Sequence, residues 1–509
     1  MPLVSLRKTA DVTIEEAVES AGSAPTNEAT DPAVLDRAAE QGSVEAEVTG
    51  RAAQEAALTY RGTHVVARPL PQPGPMVALT LPDALDFGEA EPASADEARV
   101  REQVVELAAA NQRARAQSVK RLAEWFPGYD FDAASRTTDD RRFAALQIGS
   151  ALFEHLNALD TIESILATRD LPGNRIQFSH GTKQGRPHRA TDPHRPQMQR
   201  VRVGPLVDAL DEQWTTILNG VDATDPVLAG VIEHLERVYG CGVNTNVYIS
   251  WGDARGFGPH WDQHDTIIVQ ATGTKRWKVF EPTALSPLRP WVSDEVSPRP
   301  VWEGEISPGM CLLIPRGWGH EVLGSDDMSL HYTIGINRIT VQDAIARLSS
   351  EGGFHPLFRA DLAYDPNGAV HSYDRSVLDG DASLADAVSE LATPALIERA
   401  IASYRARMPM RMFPRLFDAW VAAGTGDFAG AVVRMPAPAG IHLISIGPNG
   451  VGVGVDDHAV DLSLDAFGIV VQLADAAPHP VDSLTGDPAT RDTVLAELIR
   501  AGLLDVSLG

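Results

Sequence analysis

The residues best suited to metal chemistry lie between positions 260 and 320. His260 and Asp262 are two residues apart in GPHWDQHD, so on a strand both side chains leave the same face. His320 comes 60 residues later, after the turn Arg316–Gly319. Two histidines and one carboxylate on one side of a metal leave positions open for a cosubstrate and O2. This is the ligand set of non-haem Fe(II) oxygenases.

The sequence leaves alternatives open around this triad. The three residues could form a hydrogen-bonded polar cluster in a metal-free barrel. His264 continues the strand face of His260 and Asp262 and could compete as a ligand, although His320 has the better turn context. His331 and Asn337 share a face with Thr333 and are candidates for pocket lining or core. Three tryptophans and one cysteine are interpreted as core or pocket wall and as a buried thiol: Trp251, Trp277, Trp318 and Cys311.

The triad lies within a stretch of strand-like sequence from Asn246 to Asn337. Its hydrophobic period is two, in the runs NVYISW, DTIIVQA, KRWKVFEP, MCLLIP and SLHYTIGIN. Gly, Pro and Asp turns separate the runs. Several short strands with no helix between them predict an antiparallel barrel or sandwich, of which the double-sheet jelly roll is one.

The order of motifs in this stretch resembles a known family. The glycine-rich turn before HWD, the GTKRW turn and strand, the PRGWGH turn and the SLHYTIG strand are similar to those of JmjC-type, ribosomal-oxygenase-like cupins. Weaker similarity begins near residue 161. Members of that family use Fe(II), 2-oxoglutarate and O2. The resemblance implies that His260, Asp262 and His320 bind iron.

The resemblance also implies a cosubstrate site. Lys275, in the GTKRW turn, takes the place of the lysine that holds the distal carboxylate of 2-oxoglutarate, and Asn246 and Tyr248 line the same pocket. A lysine is a compact charge on a flexible stem, and this arginine-rich chain has only five lysines. Thr333 could donate a hydroxyl hydrogen bond to that carboxylate. The alternatives are a solvated turn lysine and, for Asn246 and Tyr248, the polar face of an edge strand.

Composition limits the possible partners. The 509 residues carry 44% hydrophobic side chains and a net charge of -26, which describes a globular chain and argues against nonspecific binding to nucleic acid or anionic lipid. A basic partner would be attracted instead. Cys241 and Cys311 cannot form a disulfide framework. No signal peptide and no apolar run of ~20 residues is present, which predicts a cytoplasmic protein without a membrane span.

The chain is predicted to have five regions in an α+β arrangement. They are a mobile acidic arm and linker (1–75), a helical N-terminal region (76–160), a JmjC/cupin jelly-roll domain (161–340), a helical dimerisation-like region (341–430) and a winged-helix-like module (431–509). A capping-box spacing at Ser94 and Glu97 predicts a helix that ends at Pro127. A second helix is expected over about 141–159, and others in VQDAIARLSS, SLADAVSELA and TPALIERAIASYRARM.

A basic island lies at 178–202 in this acidic chain. It holds three histidines and six Lys or Arg residues against Asp192 alone. It is either a solvated loop that balances nearby charge or a substrate loop that contacts an anionic group.

These features favour an Fe(II)- and 2-oxoglutarate-dependent hydroxylase of C–H bonds. The resemblance implies a protein substrate, such as a basic ribosomal protein, and a homodimer. The terminal module is expected to serve interaction rather than nucleic-acid binding, because RDTVLAELIRAGLLD is acidic at least as often as basic. Two alternatives remain at this point: a cupin metalloenzyme that acts on a small molecule, and a nonenzymatic binding protein.

Overall fold

A computed structural model of the chain describes two compact units. One unit comprises residues 115–339, and the other comprises residues 1–114 together with 340–509. The residues described are 45–48, 56–69, 92, 94–136, 142–156, 162–163, 165, 175–180, 183–185, 189–192, 195–201, 203–252, 257–324, 327–351, 361–364, 366–367, 370–373, 389, 394–405, 407–411, 415–436, 440–447, 450–455 and 458–508.

The described chain contains 25 strands and ten α-helices. The strands are β1 (Glu45–Val48), β2 (Ala56–Arg61), β3 (Val65–Pro69), β4 (Ala144–Gln147), β5 (Ile176–His180), β6 (Lys183–Gly185), β7 (Arg189–Asp192), β8 (Arg195–Val201), β9 (Thr215–Leu218), β10 (Val243–Ser250), β11 (His260–Trp261), β12 (Asp265–Thr272), β13 (Lys275–Phe280), β14 (Pro300–Ile306), β15 (Met310–Ile314), β16 (Gly319–Leu323), β17 (Ser329–Ile336), β18 (Leu362–Tyr364), β19 (Val370–Tyr373), β20 (Val432–Arg434), β21 (His442–Gly447), β22 (Gly450–Val455), β23 (His458–Leu462), β24 (His479–Pro480) and β25 (Asp505–Ser507). The helices are α1 (Ala95–Trp125), α2 (Phe131–Arg136), α3 (Ser150–Leu156), α4 (Val203–Asp211), α5 (Pro226–Tyr239), α6 (Val341–Glu351), α7 (Pro394–Arg405), α8 (Leu416–Thr425), α9 (Leu464–Leu473) and α10 (Pro488–Arg500).

Two antiparallel sheets form the barrel of the 115–339 unit. The larger has the order β4-β15-β12-β17-β10-β9-β5-β6, and the smaller has the order β11-β16-β13-β14. Side chains from both sheets form one apolar cluster, with Ile268 and Leu312 from the larger sheet and Trp277, Val279 and Ile306 from the smaller. The prediction of antiparallel sheets in a cupin-like barrel is confirmed.

The larger sheet is also covered on its second face. Ile267 and Val269 of β12 and Ile334 of β17 belong to a second apolar cluster, which also includes Leu228 and Leu235 of helix α5. A strand buried on both faces reads as a continuous apolar run rather than an alternating one. The predicted period of two therefore does not hold for DTIIVQA, whose residues are all buried in β12.

The N-terminal helix begins as predicted. The amide of Glu97 donates to the Ser94 Oγ at 3.1 Å, which satisfies one of the free donors of the first turn, and α1 ends at Trp125. The prediction of a helix over 141–159 is wrong in its first half. Residues 144–147 form β4, which pairs with β15, and of the residues that the structure describes in this range Ser150–Leu156 are helical. Pairing with the barrel edge overrides the local helical pattern.

The second unit contains a six-stranded sheet with the order β1-β2-β3-β23-β22-β21. Its first three strands come from the segment predicted as a mobile arm, so that prediction is wrong for residues 45–48, 56–61 and 65–69. The physical reason is long-range pairing. β3 pairs with β23 over five residues, and Val65 and Ala67 are buried in the core that β22, β23, α9 and α10 form. The rest of the predicted arm lies outside the described residues.

Several other predictions fall partly outside the described residues. VQDAIARLSS forms α6 and TPALIERAIASYRARM contains α7, as predicted, whereas SLADAVSELA lies outside them apart from residue 389. The basic island contributes backbone strands β5 to β8, and its side chains beyond residue 180 are likewise outside. None of the described helices is long and apolar enough to cross a membrane.

Candidate metal and cosubstrate site

The strand pairing brings the predicted triad together. His260 of β11 lies directly opposite His320 of β16 in the antiparallel register, with the ring centroids 4.4 Å apart. The Asp262 Oδ2 lies 3.6 Å from the His320 Nε2. One potential ligand atom from each residue lies within 4.8 Å of the other two. The 60-residue gap in sequence therefore closes into one three-ligand cluster.

Both triad histidines have one ring nitrogen fixed by the backbone. The His260 Nδ1 lies 2.8 Å from the carbonyl of Gly258, and the His320 Nδ1 lies 3.4 Å from the carbonyl of Trp318. A carbonyl can only accept, so each Nδ1 carries the proton and donates. The Nε2 of each ring is then the unprotonated atom, with a lone pair for a metal.

Backbone contacts fix the turn that carries His320. The amide of Gly317 donates to the carbonyl of Asp262 at 3.0 Å, and the amide of Arg316 donates to the Asp265 Oδ1 at 2.9 Å. Gly317 has a φ of +83°, and a Cβ there would lie 2.4 Å from the Pro287 Cγ. A side chain is therefore excluded at this position. The two ligand-bearing segments are held to each other before any metal binds.

Asp262 and His320 provide unprotonated ligand atoms at neutral pH. Burial raises the pKa of Asp262, but the neighbouring His320, His264 and His260 outweigh it, so the pKa lies below its usual value. Burial, and then the proximity of His260, lowers the pKa of His320 to about 4. The carboxylate of Asp262 and the neutral imidazole of His320 match what a divalent transition metal requires of its ligands.

Lys275 begins β13 and is buried inside the same barrel, with 2% of its surface exposed. Its Nζ lies 3.3 Å from the Nδ1 of His331. Burial lowers the pKa of Lys275 to about 7. Among the described residues, no carboxylate forms an ion pair with it. A buried ammonium without a counter-charge is a binding position for an anion.

The other predicted cosubstrate residues occupy neighbouring positions of the larger sheet. Tyr248 pairs with His331, and Asn246 pairs with Thr333, between β10 and β17. Burial, followed by the charge of Asp262, raises the pKa of Tyr248 to about 12, so its phenol stays protonated. The Asn246 Oδ1 accepts from the amide of Gly220 at 3.0 Å, which fixes the orientation of that side chain.

These residues fit the Fe(II) and 2-oxoglutarate that the resemblance implies. Two histidines and one carboxylate are appropriate ligands for Fe(II), and the buried Lys275 ammonium suits the far carboxylate of a 2-oxo acid. His260, His320 and Lys275 lie on strands of a single barrel, and Asp262 directly follows β11. The donor set is thus complete for a metal and an anionic cosubstrate.

The other residues that the sequence offered as ligands, pocket lining or core lie outside the three-ligand cluster. The His264 ring lies against Gly335, whose Cβ would be 2.9 Å from it, and His264 is not part of the three-ligand cluster. Trp277 is buried near both His320 and His331. Asn337 donates to the carbonyl of Gly242 at a strand end. Outside the pocket, Trp318 stacks on Phe143, Trp251 is half exposed and Cys311 is a buried thiol.

Sequence reasoning missed two contributors. The carbonyl of Gly258 fixes the tautomer of His260, and backbone carbonyls leave no signature in a sequence. The Arg289 guanidinium lies 4.3 Å from the Trp261 ring centroid and donates to the Trp261 carbonyl, where it also lowers the pKa of Asp262. Only the loop between β13 and β14 brings Arg289 there.

Comparison with known proteins identifies a domain. Residues 225–344 match the model of the JmjC domain. The bifunctional lysine-specific demethylase and histidyl-hydroxylase NO66 of Brugia malayi is 32% identical over 123 residues, 22% of this chain and 17% of that protein. Its counterpart from Caenorhabditis elegans is 33% identical over 114 residues, 21% of this chain and 15% of that protein. The chain thus spans less than a fifth of the length of these curated relatives.

A solved structure with similarity to this chain is the X-ray structure of E. coli ycfD. The two sequences are 16% identical. The superposition covers 75% of this chain and 100% of the ycfD chain, with a TM-score of 0.47. The predicted similarity to JmjC-type proteins is confirmed over residues 225–344 by the domain match and by these relatives.

Proposed function

Because residues 225–344 form a JmjC domain related in sequence to the NO66 hydroxylases, we propose that this chain is an Fe(II)- and 2-oxoglutarate-dependent oxygenase. The observation that carries the proposal is the combination inside one barrel of the His260, Asp262 and His320 cluster with the buried Lys275. A metal-free core would not need the cluster, and the buried ammonium in the same barrel offers a binding position to an anionic cosubstrate.

The proposed roles follow from the chemistry of each side chain. His260 and His320 bind iron through Nε2, and Asp262 binds it through a carboxylate oxygen. When bound, the iron supplies O2 activation coupled to decarboxylation of 2-oxoglutarate, so that a substrate C–H group, 2-oxoglutarate and O2 give an alcohol, succinate and CO2.

The chain itself orients the cosubstrate. Lys275 holds the distal carboxylate as a charge-assisted hydrogen-bond donor, and Thr333 donates its hydroxyl hydrogen bond to the same group. Tyr248 and Asn246 line the pocket with polar atoms, while Trp277 provides an apolar wall that keeps water from the ligand. Each of these assignments depends on the side chain lying on the interior face of its strand.

We propose a protein side chain as the substrate. The relatives are named histidyl-hydroxylase and lysine-specific demethylase, and the net charge of -26 would attract a basic polypeptide such as a ribosomal protein. Residues 341–430 are proposed to mediate a homodimer, and 431–509, as a winged-helix-like module, to bind a protein partner in the cytoplasm. Light scattering during gel filtration tests the dimer.

Turnover of the cosubstrate tests the function. The full chain is reconstituted anaerobically with Fe(II) and 2-oxoglutarate, O2 is admitted, and succinate is measured with and without an added fraction of basic proteins. Succinate that increases with the protein fraction supports a protein hydroxylase. Succinate that increases only with small metabolites favours the small-molecule cupin alternative, and no iron uptake with no succinate favours the nonenzymatic one.

A further inference from the structure

His331 is held in one orientation inside the barrel. It lies on β17 opposite Tyr248 of β10, and the two rings are stacked with centroids 5.0 Å apart and planes 1° from parallel. The Trp277 ring meets it edge-on, with centroids 5.5 Å apart. His331 is 3% exposed. An imidazole fixed by two aromatic neighbours presents its ring nitrogens in set directions.

The contact with Lys275 defines the protonation state of His331. In its charged form Lys275 is an ammonium with three donors and no acceptor, so its Nζ then donates to the His331 Nδ1 across 3.3 Å. The Nδ1 is therefore unprotonated and the ring proton is on Nε2. Burial, and then the charge of Lys275, keeps the pKa of His331 well below its usual value, so the ring stays neutral.

A neutral acceptor can fix the Lys275 side chain without cancelling its positive charge, whereas a carboxylate would do both. An aspartate in this position would fix the lysine and also cancel its charge. The imidazole fixes one N–H of a side chain with four rotatable bonds, and it leaves the positive charge and two further N–H groups for an incoming anion. Preorganising a long side chain removes part of the entropy loss that binding would otherwise require.

We propose that His331 is a positioning residue, whose neutral Nδ1 accepts one proton of the Lys275 ammonium and so aims its uncancelled charge at the distal carboxylate of a 2-oxo dicarboxylic acid. This inference rests on the proposed function, because it concerns the cosubstrate of that reaction. It adds selectivity to that function: His331 favours 2-oxo acids with a second carboxylate over those that only chelate the metal.

Binding of two 2-oxo acids to the full chain tests the proposal. The protein is loaded with Co(II) under nitrogen, and 2-oxoglutarate and pyruvate are titrated by visible absorption. Pyruvate is the matched ligand, since it can chelate a metal but has no distal carboxylate. His331→Leu should raise the Kd of 2-oxoglutarate about tenfold, the range of one lost hydrogen bond, and leave the Kd of pyruvate unchanged.

Two further variants separate positioning from packing. His331→Asn places an amide oxygen near the original Nδ1 and should restore most of the 2-oxoglutarate affinity, because that oxygen can accept from Lys275. Lys275→Met should weaken 2-oxoglutarate at least as much, and Lys275→Met combined with His331→Leu should weaken it no further. Equal losses for both ligands, no recovery in His331→Asn or additive losses would overturn the proposal.

A measurement on the metal-free protein provides a second readout. In the 15N spectrum of histidine-labelled chain, His331 should appear as the Nε2–H tautomer, and its Nδ1 signal should shift in Lys275→Met. A Nδ1–H tautomer would overturn the inference and leave the proposed function standing. A wild-type protein that binds Co(II) but neither 2-oxo acid overturns both, whereas unchanged 2-oxoglutarate affinity in a folded His331→Leu overturns the inference alone.

Discussion

The barrel contains histidines with opposite hydrogen-bonding roles. The Nδ1 of His260 and of His320 donates to a backbone carbonyl and leaves Nε2 free. The Nδ1 of His331 instead accepts from the ammonium of Lys275. The difference comes from the partner each ring meets, because an imidazole adopts the tautomer its neighbours require. The rings of His260 and His320 can bind a metal through Nε2, and the ring of His331 can accept a hydrogen bond from an ammonium.

Removal of a triad ligand should abolish metal binding at the site. His260→Ala or Asp262→Ala is expected to lower Co(II) affinity at least 100-fold and to stop succinate formation, because two ligands cannot hold the metal in place. His264→Ala is the matched control, since its ring lies near Asp262 but outside the cluster. Calorimetric titration with Co(II) measures the affinity. A His264→Ala protein that loses as much affinity as the triad variants would put His264 in the ligand set.

The buried Lys275 makes cosubstrate affinity dependent on pH. Its pKa is lowered to about 7 by burial, and only the charged form attracts a carboxylate. The Kd of 2-oxoglutarate should therefore rise as the pH increases above 7, approaching tenfold per pH unit. Pyruvate titrated in parallel should lack this dependence, since it leaves the ammonium unused. A Kd for 2-oxoglutarate that is flat between pH 6.5 and 8.5 would contradict this role of Lys275.

The same burial makes Lys275 a source of instability below neutral pH. Because the folded-state pKa is lower than the unfolded one, the unfolded state binds more protons between about pH 7 and 10.5 and stability rises with pH across that window. Lys275→Met should raise the free energy of unfolding at pH 6, and the gain should shrink towards pH 10. Urea unfolding at both pH values measures it, and Lys278→Met is the control on the half-buried position of the same strand. A gain that does not change with pH would mean that the stabilisation comes from packing alone.

At the scale of elements, two short strands determine whether the site exists. β11 has two residues and pairs with β16 only through His260 and Trp261. The loop between β13 and β14 secures this pair, as the Trp261 Nε1 donates to the carbonyl of Ser293. Gly319 lies against the same loop, where a Cβ would be 1.8 Å from the Val296 Cγ1. The loop therefore packs directly on the ligand-bearing strands.

A side chain at Gly319 should disturb this packing. Gly319→Ala is expected to destabilise the fold by about 2 kcal/mol, as overpacking does in a filled core, and to weaken Co(II) binding because His320 is the next residue. Gly204→Ala, on α4, is the control, since its Cβ would meet nothing within 4 Å. Thermal unfolding without Co(II) measures the loss of stability, and the change in melting temperature on adding Co(II) measures the loss of metal binding. If both variants melt together with the wild type, the close approach of Val296 has no energetic consequence.

At the scale of the whole molecule, the chain folds as two units, one of which is built from both ends of the sequence. In that unit a buried carboxylate links the two ends of the sequence. Glu497 of α10 is 4% exposed and accepts from the amides of Thr63, His64 and Val65 at 2.7 to 2.9 Å. Three charge-assisted bonds to consecutive amides fix the start of β3 on the C-terminal helix.

Loss of this carboxylate should loosen the N-terminal strands and leave the barrel unit intact. Glu497→Gln is expected to cost about 2 kcal/mol, since an amide group facing a backbone donor replaces one acceptor. Glu102→Gln, on the exposed surface of α1, is the control. Hydrogen exchange of residues 60–67 should increase, and Co(II) affinity should not change. Unaltered exchange in that segment would show that the strand pairing suffices without Glu497.

The charge of the whole chain should act on a basic substrate through long-range attraction. With a net charge of -26, the KM for a Lys- and Arg-rich peptide should increase several-fold between about 0.05 and 0.3 M salt, because ions screen attraction over the Debye length. A neutral peptide with the same target residue is the control and should show little change. Equal salt dependence for both peptides would remove charge attraction from the proposed recognition.

The sequence by itself determined the class of the site and the barrel around it. HWD, PRGWGH and GTKRW specified ligand types, and alternating runs specified strands, because both signals are local in the chain. The sequence also contained His331, but it could not assign the ring to pocket or core.

The tertiary structure alone decided which groups meet. The register of β10 and β17 places Tyr248 beside His331, and the packing of the two sheets brings the Lys275 Nζ of β13 to 3.3 Å from the His331 Nδ1. Long-range pairing turns residues 56–61 and 65–69 into strands of a sheet with 442–447, 450–455 and 458–462. Neither follows from local pattern, since strand partners distant in sequence are selected by burial of their shared faces. The residue types determine which chemistry is available, and the packing of the strands determines the distances between the side chains that carry it out.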